Sequence, residues 1–297
     1  MTTRVHLVDG TYELFRQHYG QAVRHESPGP FVATAGVLNT VLALLEGGAT
    51  HVGVASDHVI ESFRNDLWRG YKTSAGMPPE LLAQIPVMEG ALGEMGVTCW
   101  PMVECEADDA LASAAAVAAA DPAVDQVVIC TPDKDLGQCV VGQRVVQLDH
   151  RKGVVFDEAA VTAKFGVGPA SIPDYLALVG DSADGYPGIA GWGAKSTASV
   201  LSRYGHLEHI PPKAIDWDVP GLRGGAKLAT ALREQFELAL LFRRIATVER
   251  DVAVGTVEDW RWDGPRQDFR EVAERVGAPH LAIRASKLAK ARRAAAG

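Results

Sequence analysis

The chain has 297 residues, 47% of them hydrophobic and 22% charged, the balance of a folded protein with room for one large or two small cores. A formal net charge of −8 argues against a general nucleic-acid coat protein, although acids that hold metal count as negative until the metal binds. No run approaches the roughly 18 uninterrupted apolar residues of a membrane span, and the start MTTRVHLVDG lacks an apolar segment of signal length, so a cytoplasmic protein without membrane contact is expected.

In chain order, Val5–Val8 reads as a short buried strand ending at Asp9-Gly10, with a helical pattern following through Phe15. Phe31–Leu45 has helical periodicity closed by Gly47-Gly48, and His51–Ala55 reads as a second strand ending at Ser56-Asp57. A helix opens after Pro78-Pro79 and runs toward Met95, and Val97–Met102 is strand-like. Asp108–Ala119 is an alanine-rich helix, and Val127–Thr131 is a strand before Pro132-Asp133. This alternation predicts an α/β core with a mainly parallel sheet. Val145–Leu148 and Val154–Phe156 look like a hairpin. Beyond them Asp157–Lys164, Ile172–Val179, Lys195–Tyr204, Lys227–Ile245 and Asp268–Val276 are helical patterns, so the last third is expected to be a helical subdomain. The expected division is an α/β core over 1–165, a helical subdomain over 166–283 and a basic tail over 284–297. Cys99, Cys105, Cys130 and Cys139 form no CxxC pair and read as small apolar residues in a reducing compartment. His6, His51 and His58 lie near strand ends and read as structural.

The chemistry is carried by carboxylates. In a parallel α/β sheet ligands bind beyond the carboxyl ends of the strands. Asp9 follows the first strand and Asp57 the second; Glu106, Asp108 and Asp109 follow the third, and Asp133 and Asp135 the fourth. One such Asp is ordinarily an N-cap, but acids after four strands in a row strain that explanation. Glu106 and Asp109 share a helix face at i, i+3. Converging carboxylates raise one another's pKa values and need counter-charge. Hard divalent cations supply it, with Mg²⁺ favoured and Mn²⁺ a substitute. Two ions roughly 4 Å apart would clamp the attacking and leaving oxygens of a phosphodiester.

Leu178–Lys195, LVGDSADGYPGIAGWGAK, is the most specific stretch. Asp181 and Asp184 are three apart at a helix end and suit the same metal site. Gly191, Gly193, Lys195 and Ser196 open a new helix, where backbone N–H groups and the positive helix end favour a phosphate. Trp192 reads as an apolar anchor of that turn.

LVDG at Leu7–Gly10, SFRNDLWRGYK at Ser62–Lys72, EADD at Glu106–Asp109, PDKDL at Pro132–Leu136 and GDSADGYPGIAGWGAK at Gly180–Lys195 resemble, in order and spacing, the motifs of the 5′-nuclease family. That family includes the 5′-3′ exonuclease domain of bacterial DNA polymerase I, phage 5′ exonucleases and flap endonucleases. The resemblance covers about Val5 to Ile283, with no polymerase domain following, as in a stand-alone member. It implies a PIN-like 5′-nuclease core with a C-terminal helical subdomain containing a helix–three-turn–helix element. The nine metal-site acids of the family are matched by Asp9, Asp57, Glu106, Asp108, Asp109, Asp133, Asp135, Asp181 and Asp184, with Asp181 and Asp184 completing the active site from the helical subdomain. It further implies a bound K⁺ at the glycine turn, a helical arch at about 58–80, and Lys72 at the scissile phosphate. Asp9, Asp57, Asp133, Asp181 and Lys72 are the expected catalytic set. Arg16 and Arg64 match basic positions near the substrate, Arg69 lies one helical turn before Lys72 if the arch is helical, and Trp68 and Tyr71 suit either stacking on bases or packing between arch helices.

Three positions depart from the family pattern. Ala75 stands where the arch carries arginine, Pro132 where a glycine precedes the fourth-strand acid, and Gly185 where asparagine often follows the second late aspartate. The implied activity is metal-dependent 5′-3′ exonuclease or flap endonuclease cleavage in replication and repair. The implied partner is DNA with a 5′ flap, nick, gap or free 5′ end, or an RNA–DNA hybrid, met by a monomer. A structure-specific DNA-binding paralogue with little cleavage is the second reading, which Ala75 favours and the full acidic set opposes. A PIN-type ribonuclease is the third, opposed by the chain length and the Gly180–Lys195 motif.

Overall fold

The computed structural model describes residues 3–22 and 29–296. Its strands and helices are, in order, β1 (Arg4–Asp9), α1 (Gly10–Ala22), α2 (Val32–Glu46), β2 (His51–Asp57), α3 (Phe63–Leu67), α4 (Pro79–Leu82), α5 (Gln84–Glu94), β3 (Thr98–Met102), α6 (Ala107–Ala120) and β4 (Gln126–Cys130). The hairpin strands β5 (Val145–Asp149) and β6 (Val154–Phe156) follow. After them come α7 (Glu158–Phe165), α8 (Ile172–Val179), α9 (Ala194–Tyr204), α10 (Gly225–Glu234), α11 (Phe236–Ala246), α12 (Phe269–Arg275) and α13 (Pro279–Ala296). None of these helices is long and apolar enough to cross a membrane.

The chain forms two compact units. The first comprises Met1–Ile60, Ser74–Thr131 and Glu249–Gly297, and the second Glu61–Thr73 and Pro132–Val248. The sequence-expected boundary at 165/166 lies inside the second unit, because the hairpin and α7 associate with the later helices.

In the first unit the strands run parallel in the order β3-β2-β1-β4. Leu7 of β1 pairs with Gly53 on one side and Ile129 on the other. The inner positions of β1, β2 and β4 are buried almost without interruption, as expected for strands covered on both faces, whereas the edge strand β3 is partly open. Parallel register brings Asp9, Asp57 and the end of β4 to one edge. The strand order reverses beside β1, the switch point at which such sheets open a ligand crevice. Helix α6 packs along all four strands, α1 against α2, and α5 against β3. The C-terminal helices fold back onto this unit, α12 against α5 and α13 against α2. Arg284 pairs with Glu46 at 2.6 Å, and Arg292 donates to the carbonyls of Leu45 and Ala49, capping the end of α2. The expected tail, whose last residue Gly297 lies outside the described residues, is therefore largely a docked helix.

The second unit is built on α8 against α11, with Tyr71, Ile172, Leu176, Tyr186, Trp192 and Phe242 in its core. Strands β5 and β6 pair antiparallel as the hairpin pattern predicts.

Two helical expectations fail. Between α3 and α4 the expected arch consists of turns: Trp68 is extended (φ −139°, ψ 113°), Tyr71 N–H donates to Trp68 O, and Met77 N–H donates to Ser74 O. Gly70, Gly76 and Pro78 disfavour helix there, so Arg69 and Lys72 do not share a helix face. The single helix expected over Lys227–Ile245 is broken at Gln235 (φ −121°, ψ 26°) into α10 and α11.

Candidate metal and nucleic-acid site

The second unit contains the densest acid cluster. Helix α8 ends at Gly180, and Asp181–Tyr186 closes as a tight loop in which Asp181 and Tyr186 exchange backbone hydrogen bonds of 2.8 and 3.0 Å. Asp181 Oδ1 also accepts from Ala183 N–H at 2.9 Å, which fixes its carboxylate. From the other direction Asp135 opens a short 3₁₀ turn. Its carbonyl is held by buried Gln138, which also donates to Ala246 O and accepts from Val248 N–H. Carboxylate oxygens of Asp135, Asp181 and Asp184 lie within 4.8 Å of one another. Asp133, exposed, accepts from Asp135 N–H at 2.9 Å.

Like charge in a desolvated place is costly, and the structure shows how it is relieved. Burial pushes the Asp135 carboxyl well above the usual carboxylate range, and Asp133 and Asp184 add to that rise. Lys134 opposes it: its ammonium pairs with Asp181 and stands 3.7 Å from Asp135. Burial would lower the Lys134 pKa, but Asp135, Asp181 and Asp133 raise it overall, so the group stays charged. Lys72 Nζ lies 3.1 Å from Asp184 Oδ1, and its backbone N–H donates to Asp184 O. Asp135 Oδ1 is buried without a hydrogen-bond donor, an acceptor that a hard cation would satisfy. Three clustered carboxylates with an open acceptor suit Mg²⁺ or Mn²⁺ and fit neither a thiolate nor an imidazole site.

The acids of the first unit are placed differently. Asp9, 7% exposed, accepts from Tyr12 N–H at 2.8 Å and from the Thr131 hydroxyl at 3.0 Å. Asp57 accepts from Ala107 N–H at 2.7 Å, and its own N–H donates to Thr11. Glu106 is the N-cap of α6, with Asp108 in the first turn, half-buried. Asp109 is fully buried and both its oxygens accept backbone N–H groups, from Glu106 and Glu249, each at 2.8 Å. That arrangement makes Asp109 the partner in a capping box and the tie to the segment after Val248. Among the described residues no trio within the first unit meets the spacing found for Asp135, Asp181 and Asp184.

The glycine turn leads into α9 in the second unit. A groove of about 660 Å³ is lined by Gly191, Gly193, Lys195, Ser196 and Arg223, among others. Helix α9 is 11 residues long, and its first-turn amides have no acceptor within the helix. The Ser196 hydroxyl accepts from Gly193 N–H and donates to Gly193 O, stabilising the turn. Gly191 needs glycine because its φ is +87°. Gly193 does not: its φ is −131°, and a Cβ added there would meet nothing within 4 Å. The groove itself is what a side chain at 193 would intrude on. Trp192 anchors the turn, buried, with its indole N–H on Leu228 O.

Several expected substrate contacts are corrected. Arg64 is 3% exposed and donates to the carbonyls of Ile245 and Thr247, so it caps the end of α11 and is not available to a phosphate. Tyr71 is 4% exposed in the core of the second unit and offers no stacking face, whereas Trp68 is half-buried, packed edge-on against Phe242 with its N–H on Gly185 O. Arg16 is half-buried and paired with Glu13 at 2.6 Å, while Arg69 is exposed. Gly185 has φ +83° and its added Cβ would lie 2.0 Å from Gly70 O, which explains the departure from asparagine. Lys134 and Arg223 are site residues that sequence reasoning missed. The first stands in plain view between two acids, whereas the second is brought to Lys195 only by the fold.

Comparison with known proteins bears on the family and the fold. The family profile "5′-3′ exonuclease, N-terminal resolvase-like domain" matches residues 4–166, and "5′-3′ exonuclease, C-terminal SAM fold" matches residues 167–268. The chain is 34% identical over 266 residues to DNA polymerase I of Pseudomonas aeruginosa, covering 88% of this chain and 29% of that protein. It thus spans less than a third of that relative's length. The 5′-3′ exonuclease of Aquifex aeolicus is 33% identical over 209 residues, 69% of this chain and 71% of that one. Among solved structures, T5 5′-exonuclease with bound divalent zinc superposes with a TM-score of 0.66 at 16% identity, covering 97% of each chain, a likeness of fold.

Proposed function

The chain belongs to the 5′-3′ exonuclease family, and from that premise we propose that it hydrolyses phosphodiesters near the 5′ ends of DNA at flaps, nicks, gaps or free ends. The observation that carries the proposal is the trio Asp135, Asp181 and Asp184 within 4.8 Å, with Lys134 and Lys72 against it. On this reading Asp9, Asp57, Glu106 and Asp108 are metal-site acids of the first unit, and Asp133 joins the trio in the second. Asp109 is assigned to holding the α6 N-terminus rather than to direct ligation. When bound, two divalent cations would neutralise charge on the phosphate and activate the attacking water.

The chain's own residues do the rest. The carboxylates fix the place of reaction. Lys72, held by Asp184, presents a charge-assisted donor to a phosphate oxygen in the transition state. Gly191, Gly193, Lys195 and Arg223 bind duplex phosphates away from the reacting bond, giving affinity without sequence preference. Unpairing of the terminal nucleotides is cheapest at ends and flaps, which favours such substrates. Work on RNA primers in RNA–DNA hybrids, action as a monomer and a cytoplasmic location belong to the same reading. A K⁺ at the glycine turn rests on the family resemblance alone.

The test is a 5′-labelled flap incubated with Mg²⁺ or with EDTA. Short 5′ products with Mg²⁺ only are expected. Tight binding without products in either condition would support the DNA-binding paralogue instead.

A further inference from the structure

A second cationic surface lies in the first unit, outside every residue so far given a role. A groove of about 640 Å³ runs between α12 and α13, lined by Arg266, Arg270, Lys287, Lys290 and Arg293, with Gln267 and Ser286 beside them and no carboxylate in its wall. All five cations are exposed. Among the described residues none of the five has a carboxylate within ion-pair distance, although Asp268, Glu271 and Glu274 lie on or next to α12.

The contrast with the other basic residues of α13 is informative. Arg284 and Arg292 face α2 and are fully used, by Glu46, Asn39 and the carbonyls of Leu45 and Ala49. Lys287, Lys290 and Arg293 recur every three residues on another stripe, together with Ile283, which is 68% exposed. Docking of the helix therefore needs two of its cations and leaves three to solvent. Five unneutralised positive charges gathered in one groove repel one another, and in a chain of net charge −8 they form a local field of opposite sign.

We infer that this groove binds the phosphate backbone of duplex nucleic acid, as a second contact separate from the glycine turn. The inference rests on the nuclease reading for its choice of nucleic acid over an acidic protein. Steps of three residues place successive cations roughly 4.5 Å apart along the helix, comparable with the rise of roughly 3.4 Å per phosphate along one strand of a duplex. Gln267 and Ser286 add neutral donors of the kind that fix phosphate oxygens. The lining offers no accessible ring, since Phe269 is 1% exposed, so bases have nothing to stack on and a splayed single strand is disfavoured. The groove lies mostly beyond residue 268, where the matched family domain ends.

The test measures binding of a labelled DNA hairpin by fluorescence anisotropy in EDTA across a salt series, so that cleavage and divalent cations play no part. Wild type is compared with Lys287→Ala/Lys290→Ala/Arg293→Ala, with the corresponding Lys→Arg variant at 287 and 290, and with Lys195→Ala. Circular dichroism and melting temperature confirm the fold of each. The triple variant is expected to bind at least tenfold more weakly at low salt. Its slope of log K against log salt should be shallower by about 2.7, from about 0.9 for each phosphate that is no longer neutralised, while the arginine variant keeps both. Duplex binding by wild type with an unchanged slope in the triple variant overturns the inference and leaves the nuclease reading standing. Failure of wild type to bind any duplex overturns both. Loss of binding to polyglutamate but not to duplex would overturn the inference in favour of an acidic protein partner.

Discussion

Lys134→Met offers the sharpest probe of the acid cluster. The substitution keeps most of the unbranched stem and removes the ammonium that pairs with Asp181 and stands 3.7 Å from Asp135. Those partners are nearly buried, with side chains 5% and 10% exposed, whereas Lys134 is 33% exposed. Deleting one partner of a fully buried pair costs about 3–5 kcal/mol, and solvent screening at Lys134 reduces this to about 2 kcal/mol. Without divalent cations the variant should therefore melt about 4–8 °C lower than wild type. At saturating cation the difference in stability closes. A cation entering wild type must displace the Lys134 ammonium, and in the variant it need not, so the same roughly 2 kcal/mol should appear as about 30-fold tighter binding of Mn²⁺. Calorimetric titration with Mn²⁺ and melting curves with and without it measure both quantities, which linkage requires to agree. Equal Mn²⁺ affinity in the two proteins, with equal metal-free melting temperatures, would refute the idea that Lys134 holds the place of a cation.

Gly185→Asn should destabilise the second unit by at least about 2 kcal/mol, because φ is +83° and the new Cβ would lie 2.0 Å from Gly70 O; a denaturant midpoint unchanged at constant slope would count against that close approach. The hydrogen bond from Arg243, opposed by burial, holds Glu208 down at about 2 against an ordinary 4.5, so its stabilising pair is complete above pH 4.5 and is lost as pH falls through about 2. Glu208→Gln should accordingly flatten part of the stability loss between those pH values. Burial pushes the thiols of Cys99 and Cys130 up to about 12, so at pH 8 iodoacetamide should reach them only after unfolding, as mass spectrometry of tryptic peptides would reveal.

Much of this architecture is legible in the sequence for local reasons. Apolar runs that end in or are soon followed by Asp mark β1, β2 and β4, and parallel register brings the ends of these strands to one edge, so the acids are legible from local pattern alone. Long-range partners are what the sequence conceals. Arg64 stands in a motif rich in cations, yet its hydrogen bonds go to Ile245 and Thr247, some 180 residues away. Tyr71 likewise looks like a stacking residue until the helices of the second unit close over it. The break at Gln235 has no local sign, because Leu228, Leu232, Ala239 and Phe242 continue one helical stripe across it. Arg223 joins Lys195 only through the fold of the loop before α10. The paired roles of α13, docked by two arginines and open on another stripe, depend on contacts with α2 that periodicity alone does not specify.

The central claim, that the clustered acids perform hydrolysis while phosphate contacts supply affinity, is tested most directly by Asp181→Asn on a 5′-labelled flap. Single-turnover cleavage at saturating enzyme with Mg²⁺ should be abolished, while duplex binding in EDTA stays within a few-fold of wild type, since Asp181 belongs to the carboxylate trio and does not line the groove at the glycine turn. Near-normal cleavage by the variant would contradict the account.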